Sequence, residues 1–104
     1  MEADLTNNES LLAACVGVTD VMHVASPFFL GTSEAELVTP AVEGTKSIMH
    51  ACKANGVRRC VVTASVASVI YPKEMPEGPF SETTWSSVEN PELGVYQKSK
   101  LLAE

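Results

Sequence analysis

Thr39-Pro40-Ala41-Val42-Glu43-Gly44-Thr45-Lys46-Ser47-Ile48-Met49-His50-Ala51-Cys52-Lys53-Ala54-Asn55-Gly56-Val57-Arg58-Arg59-Cys60-Val61-Val62-Thr63 reads as a helix followed by a strand, with the punctuation of both in the residues. Thr39 is the expected N-cap, and Pro40 takes the first helical position, where a missing N–H is no loss. Val42, Thr45, Ile48, Met49 and Cys52 recur at helical spacing and predict the buried face. Asn55-Gly56 is the stop, because glycine adopts the left-handed turn at a helix end most readily. Arg58 to Thr63 is then a short β-branched run, expected as a buried strand.

The same alternation continues on both sides. Residues 8–16 predict a short helix capped by Asn8 or Thr6, with Leu11, Leu12, Cys15 and Val16 on one face and Gly17 ending it. Asp20 to Ala25 predicts a second buried strand, and Ser26-Pro27-Phe28-Phe29-Leu30-Gly31 ends it and opens a loop. Downstream, Val66 to Leu93 carries Pro72, Pro76, Pro79 and Pro91 but keeps Ile70, Tyr71, Phe80 and Trp85. A loop of that length with apolar residues predicts an ordered segment covering a site. Gly94 onward starts a third helix.

Strands alternating with helices imply an α/β fold with a parallel sheet and crossover helices. Such a sheet needs cover on both faces, and two strands are too few to stand alone. The last helix reaches Glu104 without a C-terminal cap, and Met1-Glu2-Ala3-Asp4 reads as the end of a strand. The expectation is therefore one domain's middle slice: residues 1–104 as the central part of a larger doubly wound unit, truncated at both ends.

Bulk composition narrows the function classes. Apolar residues make up 45% and charged residues 19% of the 104, the composition of a globular fold with surface to be covered. A net charge of −6, scattered without blocks, argues against non-specific nucleic-acid binding and against an anionic membrane surface. Every wholly apolar run is too short to span a bilayer, and the start has no signal-peptide pattern. Cys15, Cys52 and Cys60 lie far apart in apolar stretches, and neither they nor His23 and His50 have metal-ligand spacing. They read as buried, reduced thiols of a cytoplasmic protein with no metal.

Tyr96 and Lys100 stand one helical turn apart in Tyr96-Gln97-Lys98-Ser99-Lys100-Leu101-Leu102-Ala103-Glu104, so they share a helix face. An ammonium beside a phenol favours the phenolate, which makes the pair a candidate acid/base unit. Spacing alone equally fits an exposed helix with a half-buried tyrosine and a solvated lysine.

With these elements in order, the chain resembles the extended short-chain dehydrogenases/reductases, in the branch of dihydroflavonol reductase, cinnamoyl-CoA reductase and 3β-hydroxysteroid dehydrogenase. The likeness rests on Ala3-Asp4-Leu5-Thr6, Asp20 through Pro27, Pro40 through Thr45, Val61 through Val69, and Tyr96 through Glu104. It implies a Rossmann-type fold and an NAD(P)-dependent oxidoreductase acting on a small-molecule carbonyl or alcohol. By the same resemblance Ser65 would hydrogen-bond the substrate carbonyl, Tyr96 would protonate its oxygen, and Lys100 would support Tyr96 and hold the nicotinamide ribose. Hydride addition builds negative charge on oxygen, so a donor and an acid must face it. Ser68 is the rival serine, held non-catalytic; a strand-end serine capping local backbone is the plain alternative for Ser65.

The resemblance places NADP or NAD along the carboxyl ends of the strands, as open α/β sheets use them. Asp4 and Leu5 would flank the adenine. Ala25, Ser26 and Pro27 would form the turn over ribose and phosphates, and Thr63 and Ala64 would lie under the nicotinamide, with Tyr96 and Lys100 completing the cofactor contacts. A helix-start carboxylate and a strand terminator are the plain alternatives for Asp4 and Pro27. The family's GxxGxxG phosphate loop is absent from these residues, as are the positions that choose NAD or NADP. Two other functions stay open: a nucleotide-sugar epimerase or dehydratase of the same fold, and a non-catalytic dinucleotide sensor or inert truncated product. The run Ser65-Val66-Ala67-Ser68-Val69-Ile70-Tyr71-Pro72 and Trp85 favour the reductase branch.

Overall fold

The computed structural model describes residues 1–28 and 33–104; Phe29, Leu30 and Gly31 of the expected loop lie outside the described residues. The elements follow the order α1 (Asn8–Ala14), β1 (Asp20–His23), α2 (Glu34–Ala54), β2 (Arg59–Val62), a 3₁₀ turn (Val66–Ser68) and α3 (Val95–Ala103). β1 and β2 pair in parallel, with Asp20 opposite Arg59 and His23 opposite Val62. Beyond the strands' ends, Arg58 N–H donates to the Thr19 carbonyl at 2.8 Å and Thr63 N–H to the His23 carbonyl at 3.0 Å. The ladder is thus shorter than the apolar runs that announced it. The expected α/β class with a parallel sheet is what the chain forms.

Helix boundaries follow capping chemistry more closely than hydrophobic period. The cap of α1 is Asn7, whose Oδ1 accepts from the Ser10 N–H at 3.1 Å; neither Asn8 nor Thr6 has that role. Gly17 takes φ +70°, and the helix has already ended, so Val16 leaves the expected face and is exposed. α2 starts at Glu34, ahead of the expected Thr39-Pro40 start. The cause is Ser33, whose N–H and hydroxyl donate to Glu36 at 3.0 and 2.8 Å. Those two bonds, the backbone one first, hold the Glu36 carboxyl below the usual carboxylate range. Pro40 consequently sits inside the helix, where it removes one backbone bond. Leu37 and Ala41, buried on either side of it, keep that turn in place.

The buried stripe of α2 is Leu37, Ala41, Gly44, Ile48, Ala51 and Cys52, rotated from the expected Val42, Thr45, Ile48, Met49 and Cys52. Met49 is exposed. Small residues mark where neighbours come closest: a Cβ on Gly44 would meet Leu5 side-chain carbons at 3.1 Å. The first half of α2 runs beside α3, where Glu34 accepts from Lys98 Nζ at 2.9 Å. The second half holds α1 through Leu11, Cys15, Ile48, Ala51 and Cys52, packed over Val21 and Cys60 of the sheet. At its end, the Asn55 amide donates to the carbonyls of Leu12 and Ala51, and Gly56 turns at φ +67°. The stop at Asn55-Gly56 is as expected.

Cover lies on one sheet face only among the described residues. Register partners Met22 and Val61 are 77% and 49% exposed on the other. The chain is a slab of 46 × 29 × 16 Å with a radius of gyration of 15.2 Å. A self-contained domain of about 100 residues measures about 13 Å. The long loop is ordered, but it packs differently from expectation. Ser86 stitches it to the 3₁₀ turn, its Oγ donating to the Ala67 carbonyl at 2.7 Å and accepting from Tyr71 N–H at 2.9 Å. Asn90 donates to the Pro72 carbonyl at 2.8 Å. Polar bonds do the ordering, and Ile70, Phe80 and Trp85 remain exposed instead of closing over a site.

The three cysteines are free thiols, with Cys15 and Cys52 buried and Cys60 only half-buried. Separated in sequence, they meet in one core. Burial, reinforced by hydrogen bonding to Cys60, pushes the Cys52 thiol up to about 12. Its thiolate is therefore scarce at pH 8, and the thiolate is the nucleophile. Maleimide labelling of the folded chain at that pH is expected to modify Cys60 before Cys52, as read by peptide mass mapping. Equal rates would contradict this packing. Among the described residues, no cluster of His, Cys, Asp and Glu is arranged to hold a metal, and no helix is long and apolar enough to cross a membrane.

Candidate active site

The carboxyl ends of β1 and β2 lie side by side because the strands are parallel and in register, so the residues following each meet at one edge. Ala25 and Ser26, after β1, and Thr63 and Ala64, after β2, line a small cavity together with Lys100 and Glu104 of the last helix and with His23 and Thr45. Ala25, Ser26 and Pro27 also line an adjoining open groove of about 410 Å³ with Asp4, Leu5, Thr6 and Pro40. The two spaces share Ala25 and Ser26. Eight of the expected positions thus fall along one continuous path, Asp4 towards one end and Lys100 at the other.

Ser65 and Tyr96 line neither space. Ser65 follows β2 and caps the 3₁₀ turn, its Oγ accepting from the Ala67 N–H at 3.2 Å. The backbone-capping alternative is thus present, but it uses an oxygen lone pair and leaves the hydroxyl proton to donate. Ser68 is 1% exposed, and its Oγ has no partner among the described residues. The 3₁₀ turn packs against α3, which puts Ser65 and Tyr96 on neighbouring elements.

Tyr96 sits in the first turn of α3, half-buried, and Lys100 one turn later. Lys100 Nζ lies 5.8 Å from the Tyr96 ring centroid, at the outer range of a cation–π contact. The Phe28 ring meets the Tyr96 ring edge-on with centroids 5.1 Å apart. Between Tyr96 and Lys100, Ser99 is fully buried, and its Oγ donates to the Tyr96 carbonyl at 2.7 Å. A small residue there lets α3 lie close to its neighbours.

Asp4 folds back on its own chain. Its Oδ1 accepts from the Thr6 hydroxyl and from the Thr6 N–H at 2.7 Å, and these bonds, the hydroxyl's first, hold the carboxyl below the usual carboxylate range. The Asp4 N–H donates to Ser10 Oγ at 3.0 Å, so the backbone there is tied to the first turn of α1, and the carboxylate is anionic at neutral pH. The carboxylate bonds Thr6 and not the start of α1, whose cap is Asn7, and it fixes a hydrogen-bond acceptor on the rim of the groove.

Sequence reasoning missed His23 and Thr45. His23 Nε2 lies 3.3 Å from Thr45 Oγ1. Burial, and secondarily the Lys100 ammonium, hold the imidazole below the usual histidine range, so it is neutral at pH 7. The available signal was one ring nitrogen pair in an otherwise apolar strand, Val21-Met22-His23-Val24.

A dinucleotide fits this edge in part. Small side chains at Ala25, Ala64 and Ser26 admit close approach, Asp4 supplies an acceptor at one end and Lys100 a cation at the other. The glycine-rich cradle for a pyrophosphate is absent from these residues.

Comparison with known proteins gives the same frame. The sequence model of the 3-beta hydroxysteroid dehydrogenase/isomerase family matches residues 1–104. Cinnamoyl-CoA reductase 1 of Oryza sativa subsp. japonica is 38% identical over 105 aligned residues, covering 98% of this chain and 30% of that protein. Dihydroflavonol 4-reductase of Hordeum vulgare is 40% identical over 91, covering 85% and 25%. The crystal structure of yeast methylglyoxal/isovaleraldehyde reductase Gre2 complexed with NADPH superposes with a TM-score of 0.75 at 28% identity, over 96% of this chain and 34% of that one. The chain thus spans about 30% of the length of the rice relative.

Proposed function

The chain belongs to the 3-beta hydroxysteroid dehydrogenase/isomerase family, among the extended short-chain reductases, and from that premise we propose that residues 1–104 are the central part of an NAD(P)-binding Rossmann unit that reduces a small-molecule carbonyl. The observation that carries this reading is the continuous path at the strands' carboxyl ends, running from Asp4 past Ala25 and Ser26 to Lys100. When bound, the nicotinamide supplies the hydride. Thr63 and Ala64 would support its ring, and Lys100 would hold its ribose. Ser65 would donate its free hydroxyl proton to the substrate carbonyl oxygen, and Tyr96 would deliver the proton that completes the alcohol. NADPH, in a cytoplasmic setting with reduced thiols, is the favoured cofactor, supported by its presence in the yeast relative.

The epimerase and dehydratase reading has no specific support beyond the shared fold. On the reductase reading, residues 1–104 alone leave one sheet face bare and lack the pyrophosphate cradle. Calorimetric titration of this chain with NADPH is expected to show no micromolar binding. A chimera in which residues 1–104 replace the matching stretch of the yeast reductase is expected to bind NADPH in that range. Micromolar binding by the isolated chain, or none by a folded chimera, would overturn the proposal.

A further inference from the structure

We propose that His23 is a positioning residue for Lys100: its imidazole, held in contact with Thr45 of α2, lines the same small cavity as the lysine. The inference rests on the reading of Lys100 given above and extends it to two residues that the reading does not use.

His23 is the last residue of β1 and only 8% exposed. Its one side-chain partner among the described residues is Thr45, at 3.3 Å. A histidine buried purely for packing would need nothing more. This one, however, lines the same cavity as Lys100, and that cavity, about 20 Å³, has room for a single water molecule. The imidazole and the lysine therefore share one water-sized space.

The ionisable groups facing that gap are few. α3 contributes Lys100 and Glu104; α2 contributes Thr45, and the strand ends contribute Ala25, Ser26, Val62, Thr63 and Ala64, none of them charged. A lysine stem has four flexible carbons and no preferred direction of its own. A neutral imidazole on the cavity wall leaves the ammonium in place, whereas a protonated one would set a second cation against it and drive it off. Burial and the ammonium both hold His23 in the neutral form. Thr45, which lines the same cavity, holds the ring through its 3.3 Å contact with Nε2.

The test is an NMR titration of the chimera, following the His23 and His50 imidazoles and the ε-methylene of Lys100, with the exposed His50 as the control for Lys100→Met. His23 is expected to titrate below the usual histidine range, and the Lys100 resonance should echo the His23 curve. Lys100→Met should move the His23 midpoint upward and leave His50 in place. His23→Gln, which can still reach Thr45 and carries no charge, should hold the Lys100 resonance at its high-pH position across the range. A His23 curve in the usual histidine range, or a His23 midpoint unmoved by Lys100→Met, overturns the inference. Turnover of the chimera carrying Lys100→Met separates the two claims. Unchanged turnover with the NMR coupling intact would sink the catalytic reading of Lys100 alone.

Discussion

Tyr96→Phe in the chimera is expected to lower kcat for carbonyl-dependent NADPH oxidation by about 10²–10⁴-fold, the usual contribution of a positioned general acid. The substitution removes one oxygen and keeps the ring. The edge-on contact with Phe28 and the burial of Ser99 beneath the same turn should therefore survive. KM should change little, because the lost interaction forms as charge develops on the substrate oxygen. Ser65→Ala removes a donor that also caps the 3₁₀ turn, so its loss of turnover would mix chemistry with local structure. Tyr96 is the cleaner position. Turnover within threefold of the parent chimera would remove Tyr96 from the role of acid. Proton donation would then need another group, and the half-exposed setting of α3's first turn offers none as well placed.

Leu11→Ala is expected to be strongly destabilising. Leu11 is 5% exposed and fastens the seven-residue α1 to Ile48, Ala51 and Cys52 of α2. A buried Leu→Ala change costs about 2–5 kcal/mol, more where the surroundings cannot collapse into the space. Here they are held: Asn55 ties the α1 carbonyl of Leu12 to the end of α2, so the helix cannot simply sink inward. That range is comparable with the whole stability of a small domain, about 5–15 kcal/mol. Leu102→Ala, on the exposed side of α3, is the control and should change stability by under about 1 kcal/mol. Urea denaturation of the two chimeras, followed by circular dichroism, measures both. Equal midpoints would mean that the α1–α2 core is not where the stability resides.

The alternation of helix and strand was legible because each element carries its signal within a few residues. Glycines at 17 and 56 ended helices as their backbone freedom predicts, and both take positive φ. The Tyr96–Lys100 pair was legible for the same reason, since a helical turn puts them on one face whatever surrounds it. The errors share a cause as well. Thr39-Pro40 looked like a helix start, but two hydrogen bonds from Ser33 to Glu36 outweighed it. Val42 and Met49 looked like the buried face because they are large and apolar. Gly44 and Ala51 hold the close contacts because they are small. The loop residues Phe80 and Trp85 looked like a lid, yet Ser86 and Asn90 set that segment's path and left the rings outside.

What the sequence determined by itself is everything decided by local chemistry: the α/β order, the parallel pairing that crossover helices force, and the one-turn spacing that puts Tyr96 and Lys100 on one helix face. What only the tertiary structure decided is which distant residues share a space. Parallel pairing of Asp20–His23 with Arg59–Val62 brought Ala25, Ser26, Thr63 and Ala64 to one edge, and α2 and α3 delivered Thr45 and Lys100 to it. The same pairing gathered three scattered cysteines into one core and put His23 on the cavity that Lys100 lines. Through-space proximity of this kind depends on strand register and helix packing, which are properties of the assembled chain rather than of any stretch within it.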